Sequence, residues 1–315
     1  MPRRREVKQG KEIRLYRTHA ADPPEKAWKQ FSALFDLSPM RMPGNSGIIE
    51  NQTWFAGNNV IAEVSLDGNV HEHHDEHLKH SGDLLFVHRY LSGGADGLSG
   101  EIPYMMRPGM FIFHDYGRPF QGIQTPSRLQ SIHVPHSVVG YDPERMPPQV
   151  TFDKMSEHGR ILHAEFDKMF ALLIQGAETL KATRLDRVMD KIRAAMPKEN
   201  GQNPDAIDGA APPRITLQTY IESNLSNPDL SRESLLESFE ISRSELFERF
   251  EVFGGVATYI EIRRLFRALI ELWKDRETRN SLERVARRWG FASKQAFMRA
   301  AKTRYGVRPD TVFEN

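Results

Sequence analysis

Between Pro197 and Pro213 the chain reads PKENGQNPDAIDGAAPP, with four prolines, two glycines and no sustained apolar period. Proline and glycine break helices, and small polar residues bury too little surface to order themselves. The stretch is expected to be an interdomain linker, 197–213. It leaves residues 1–196 on one side and 214–315 on the other, each long enough for a core of its own. No cysteine occurs among the 315 residues. Disulfides, thiol nucleophiles, thiolate zinc sites and iron–sulfur clusters are therefore excluded. No run approaches eighteen consecutive apolar residues, so no membrane partner is expected. The basic start Met1-Pro2-Arg3-Arg4-Arg5 has no apolar h-region after it. That reads as no signal peptide and a cytoplasmic protein.

The two halves have different textures. From Val60 to Val134, short apolar runs are separated by glycine and proline, as in VIAEVSL (60–66), GDLLFVHRYLSGG (82–94), RPGMFIFHDYGRPF (107–120) and RLQSIHVP (128–135). Such spacing suggests an antiparallel sandwich or barrel. From Asp153 to Met196 the period turns helical, with Phe166, Phe170 and Leu173 at i, i+4, i+7, and Leu185, Val188 and Ile192 at i, i+3, i+7. These stripes either pack on the β body or form a dimer interface.

After the linker the pattern is helical throughout. Helices are expected over Arg214–Ser223, Ser231–Ser238, Arg243–Glu251, Leu282–Trp289 and Lys294–Tyr305, with a longer one from about Val256 to Trp273. Ser242 with Glu245 fits a capping box, and Ser281 and Ser293 stand where N-caps belong. The net charge of +1 conceals segregation. Residues 214–261 hold four Lys/Arg and nine Asp/Glu, whereas 262–308 hold fourteen and four. A basic face on a small helical unit is the footprint of a phosphate-backbone partner. Two segments, 230–250 and 281–306, share one plan: a short helix, a tight turn, then a capped helix with exposed polar residues in its first turns. That is the helix-turn-helix layout, sized for the major groove. A connecting helix roughly 27 Å long brings two recognition helices near the one-turn repeat of B-DNA, about 34 Å.

At these residues the chain resembles the AraC/XylS family of bacterial transcription regulators. The marks are GGVATYIEIRRL (254–265), with Tyr259, Ile260, Arg263 and Leu265, and VARRWGFASKQAFMRAAKTRYGVRP (285–309). The latter carries Ala286, Gly290, Phe291, Ser293, Phe297, Arg299, Gly306 and Pro309 in the family's order. RPGMFIFHDYGRPF and HVP (133–135) carry a weaker likeness to the cupin-like sensing domain that often precedes this module. The resemblance implies an α+β multidomain fold: a cupin-like antiparallel β-barrel with two trailing helices over 1–196, and an all-α double helix-turn-helix domain over 214–315. It implies a sequence-specific DNA-binding activator or repressor, not an enzyme, with promoter DNA and RNA polymerase as partners. A small-molecule effector or homodimerisation through the N-terminal domain is implied as well; no cofactor is expected. Two departures stand out. Glu248 occupies a usually basic place in the first recognition helix, and Ala301 a place usually held by Phe.

Site residues follow from position. In the second recognition helix the expected DNA contacts are Ser293, Lys294, Gln295 and Arg299, with Lys302 and Arg304 on phosphates. Glutamine pairs with adenine and arginine with guanine, and four residues apart they share a face. In the first unit they are Arg243, Ser244 and Phe247, while Glu245 is a capping partner. Leu246, Phe250, Leu265, Val285, Ala286, Trp289 and Phe297 are core. The cluster His71, His73, His74, His77 and His80, with Glu76 near, allows an alternative: a cupin-type metal-dependent enzyme using His71 and His73. However, Gly68 stands too close for the usual cupin spacing and His114 is only a loose further ligand. An exposed loop is the expectation, and no metal. Arg89, Tyr104, His133 and Phe113 are either pocket-lining, packed core or surface, and no ligand residue is assigned.

Overall fold

A computed structural model describes residues 13–18, 36–40, 49–56, 59–176, 182–196, 214–275 and 282–311. The expected linker, 197–213, and the expected cap Ser281 lie outside the described residues. The strands are β1 (Ile13–Thr18), β2 (Asp36–Pro39), β3 (Ile49–Ala56), β4 (Asn59–Leu66), β5 (Asn69–His73), β6 (Leu84–Ser92), β7 (Ala95–Ser99), β8 (Ile102–Met106), β9 (Met110–Asp115), β10 (Phe120–Gln124), β11 (Ser127–Pro135) and β12 (Gln149–Asp153). They form a seven-stranded sheet, β1-β3-β4-β11-β6-β9-β12, and a five-stranded sheet, β2-β5-β10-β7-β8, with antiparallel pairing throughout.

The expected barrel is thus two facing sheets. Among the described residues no ladder joins their edges, so the closed form is not reached. Side chains on the large sheet alternate between two buried faces. Ala62, Val64, Phe86, His88, Tyr90, Leu129, Ser131 and His133 point toward the small sheet. Their neighbours Ile61, Leu85, Val87, Ile132 and Val134 join an apolar layer beneath helices α3 (Glu157–Gln175) and α4 (Ala182–Ala194). Burial on both faces explains why β9 is buried at every position and opens on the unbroken apolar run Met110–Phe113. Two short helices, α1 (Asp75–Ser81) and α2 (His136–Val139), complete this part.

Phe166, Phe170, Leu173, Leu185, Val188 and Ile192 lie at 2% exposure or less in that same layer. The stripes left open between packing and dimerisation are therefore spent on the sheet. Arg89 and Phe113 face this layer too. Arg89 donates to Gln130 Oε1 (2.7 and 3.1 Å) and to His163 Nδ1 (2.9 Å), so it does not line the space between the sheets.

The C-terminal part is helical: α5 (Arg214–Asn224), α6 (Arg232–Phe239), α7 (Arg243–Phe250), α8 (Val256–Lys274), α9 (Leu282–Arg288) and α10 (Lys294–Tyr305). It covers the outer face of the small sheet. Val70, Leu98 and Ile123 share a core with Leu265, Phe266 and Leu269, and Met105 with Leu217 and Ile221. Four layers result: helices α3 and α4, the large sheet, the small sheet, and the helical module. No helix among the described residues is long and apolar enough to cross a membrane.

Candidate nucleic-acid interface and the adjoining cavity

Each of the two helix-turn-helix units is locked by local chemistry. In the first, Ser242 Oγ accepts from the Glu245 amide (3.2 Å) while Glu245 Oε2 accepts from the Ser242 amide (2.8 Å), the reciprocal box expected. In the second, Ser293 Oγ accepts from the Ala296 amide at 3.2 Å. The turns before these caps need a left-handed residue. Gly290 supplies it in the second unit (φ 78°), where a glycine was legible. Glu240 supplies it in the first (φ 52°), a conformation most residues avoid. The rod α8 spans 19 residues, roughly 28 Å.

The helices expose what a groove reader must. On α7, Arg243, Ser244, Phe247 and Glu248 are exposed, Phe247 at 56% despite its large apolar ring. On α10, Gln295, Arg299 and Lys302 are exposed at i, i+4, i+7, one solvent stripe, with Ser293 and Lys294 half-buried at its start. Phe297, Ala301 and Tyr305 form the opposite, buried stripe. Ala301 closes against this core without the expected Phe.

Arg304 corrects the sequence expectation. Nine positions after Gln295 it lies half a turn around the helix, on the side of the buried stripe. Its guanidinium holds Asp96 of β7 through Nε (3.1 Å) and Nη2 (2.8 and 2.9 Å) rather than facing solvent for a phosphate. Tyr305 donates to the same carboxylate at 2.6 Å, and Arg107 at 2.9 Å. Asp96 is fully buried, so these donors replace the water it lost. A second tie sits on α8. Arg263, fully buried, pairs with Glu222 of α5, lies over the Phe266 ring (4.5 Å) and donates to the Tyr104 carbonyl at 3.3 Å. The helical module is thus fastened to the small sheet by a buried ion pair at Asp96 and, beside it on the neighbouring strand, by the hydrogen bond from Arg263 to the Tyr104 carbonyl.

Behind Tyr104 lies a cavity of about 70 Å³ between the sheets. One cross-strand row runs through its small-sheet wall, between Phe120 and Gln124: His71 on β5 opposes Gly122, Gly122 opposes Gly97, and Gly97 opposes Tyr104. Three strand gaps separate the backbones of His71 and Tyr104, roughly 14 Å. Their side chains nevertheless meet at 2.9 Å, Nε2 to hydroxyl. They do so by lying flat over the two glycines, where any Cβ would fall inside the Tyr104 ring or the His71 imidazole. The large-sheet wall supplies His88, His114 and His133. Burial pushes His71 and His133 down to about 4 and His114 down to about 3, the last against its bond to Gln149. Burial, aided by neighbouring His114, sets His88 well below its ordinary value. All four are neutral at pH 7, so the cavity is polar but uncharged. Tyr104 and His133 were legible as pocket candidates; His88 and the glycine row were not.

The histidine segment 71–80 is not the exposed loop expected. It runs along β5 into α1, with His73 and His77 at 1% and 5% exposure. His71 Nε2 is committed to Tyr104, and His73 Nε2 to the Tyr116 carbonyl at 2.8 Å. Among the described residues, the one group of three with ligand atoms within 4.8 Å is Asp36, His74 and His77. There His77 Nδ1 accepts from the His74 amide at 3.1 Å. Its proton therefore sits on Nε2, facing Asp36 at 3.6 Å. That tautomer caps a helix and offers a cation no lone pair.

No family model matches the sequence, and no curated protein matches it. Among solved structures, the AraC-like transcriptional activator CuxR superposes with a TM-score of 0.51 at 20% identity, over 84% of this chain and 96% of its own. The chain has the AraC-like fold. ToxT from Vibrio cholerae, 13% identical over 80% of this chain and 96% of its own, superposes at a TM-score of 0.32. In this AraC-like fold the motifs at 254–265 and 285–309 fall on α8 and on the second helix-turn-helix unit. Asp96, Glu222 and the Gly97–Gly122 pair hold the AraC-like module against the sheet or shape the cavity. None carried a local signal beyond a charge or a glycine inside a strand or helix pattern.

Proposed function

We propose that this chain is a transcription regulator that binds duplex DNA through α7 and α10 and responds to a small effector held between its sheets. The observation that carries the reading is the exposed stripe Gln295, Arg299 and Lys302 on a capped helix, repeated in plan by α7 at the other end of a rigid rod. Gln295 and Arg299 are the base readers, Lys302 and Lys294 the phosphate contacts, and Arg243, Ser244 and Phe247 the first unit's contribution. The first unit contributes less, because Glu248 repels phosphate on the same exposed surface. CuxR is named an AraC-like activator, which supports regulation over catalysis here. Tyr104 links the two functions: its ring walls the cavity, and its carbonyl seats Arg263 of the rod.

Bound sequences selected from a random duplex pool supply the site. On it, the double change Gln295→Ala with Arg299→Ala is expected to weaken binding about 100-fold, by about 1.4 kcal/mol for each lost contact. Lys302→Ala is expected to weaken all sequences alike and lower the salt slope by about one. Full affinity in the double variant, measured by fluorescence anisotropy, would remove these residues from the interface.

A further inference from the structure

The cavity between the sheets says more about its occupant than that one exists. Its walls are mostly rings. Phe86, Tyr116 and Phe120 pack with centroids 5.0 to 5.2 Å apart, and Tyr104 meets His114 edge to face at 4.7 Å. Lysine, arginine, aspartate and glutamate are absent from the residues that line it. An anion would therefore meet no cationic partner and a cation no carboxylate, in surroundings where desolvating either is expensive. Three lining polar atoms stand without partners, His88 Nδ1 among them. Tyr90 donates to Gln124 Oε1 at 3.1 Å, which fixes that amide and leaves Gln124 Nε2 buried and unbonded. The Tyr116 hydroxyl is also buried and unbonded. Buried donors of this kind cost free energy until something accepts from them.

We propose that the cavity takes a small, uncharged, planar ring compound carrying a hydrogen-bond acceptor for Gln124 Nε2 and a polar group for the Tyr116 hydroxyl. The ring stacks among the aromatic walls, and the polar edge satisfies Gln124 Nε2 and the Tyr116 hydroxyl. The space sets the size at about one ring. This assignment rests on the effector reading above and narrows it to a chemical class.

Three probes of one shape separate charge from fit: benzamide is neutral, benzoate an anion and benzamidine a cation. Each is added at equal concentration to the full-length protein at pH 7.5, and binding is read by ligand-observed saturation-transfer NMR and by the melting temperature. Benzamide is expected to bind and raise the melting temperature, and the two ions to bind at least tenfold more weakly. Tyr116→Phe, which keeps the ring, and Gln124→Leu, which keeps the bulk, are each expected to weaken benzamide about tenfold. Equal or tighter binding of either ion would overturn the assignment. So would absence of benzamide binding, or benzamide binding unchanged in both variants. Duplex binding is measured on the same preparation. If it persists while benzamide fails, the ligand class alone is lost; if it is absent, the regulator reading falls.

Discussion

Moving from pH 7.5 to pH 5.5 is expected to lower the unfolding free energy by about 4 kcal/mol. The cause is the ring-lined interior. His88, His114 and His133 are buried and held neutral, with His114 and His133 depressed to about 3 and about 4. In the unfolded chain each titrates near 6.5. Between 6.5 and the folded values the unfolded state binds more protons, so stability falls as the pH falls. One unit below 6.5 the loss is about 1.4 kcal/mol for each such histidine, and the three enclosed ones act together, the half-buried His71 adding less. The full contribution is present above pH 6.5 and is lost progressively down to about pH 3. Urea midpoints followed by circular dichroism at the two pH values test this. Equal midpoints would show that the histidines are hydrated or charged in the folded protein. His133→Gln is expected to flatten the dependence by about a third.

The second large effect concerns the seam between the helical module and the small sheet. Asp96→Ala removes the acceptor shared by Arg304, Tyr305 and Arg107 and leaves two guanidiniums facing an apolar sheet surface. Breaking a buried ion pair on one side costs about 3–5 kcal/mol. The expected results are a lower urea midpoint and faster proteolysis between the two parts. A third readout distinguishes the seam from general loss of stability. Arg304, released from Asp96, stays on the side of α10 opposite Gln295 and adds no phosphate contact. Duplex affinity and its salt slope should therefore stay unchanged while the urea midpoint falls. A variant as stable as the parent, with unchanged proteolysis, would mean that this seam does not close in solution.

What was legible in the sequence was local. Ser242 with Glu245, Ser293, Gly290 and the 3.6-residue period placed α7 and α10 to within a residue of the observed ends, and the rod ends one residue beyond Trp273. Capping and helical periodicity act over a few residues, so the residues themselves report them. What was not legible depends on partners distant in sequence. Arg304 reads as one more solvent cation until Asp96, 208 positions earlier, arrives beside it. The histidine run 71–80 reads as polar surface until β10 and the large sheet close over His71 and His73. Gly97 and Gly122 are unremarkable inside short strands; only their pairing opens room for the Tyr104 ring. The two-sheet body in place of a closed barrel is likewise a matter of which edges pair, and no strand carries that information alone.

A regulator of this design must grip a duplex with its helical module. The direct measurement is anisotropy of a labelled mixed-sequence 30-base-pair duplex titrated with the full-length protein, repeated from 50 to 300 mM salt. The protein is expected to bind at 50 mM salt and to weaken linearly on logarithmic axes with a slope of several units, about 0.9 for each phosphate contacted. Absence of binding at 50 mM salt, or binding indifferent to salt, would contradict that expectation.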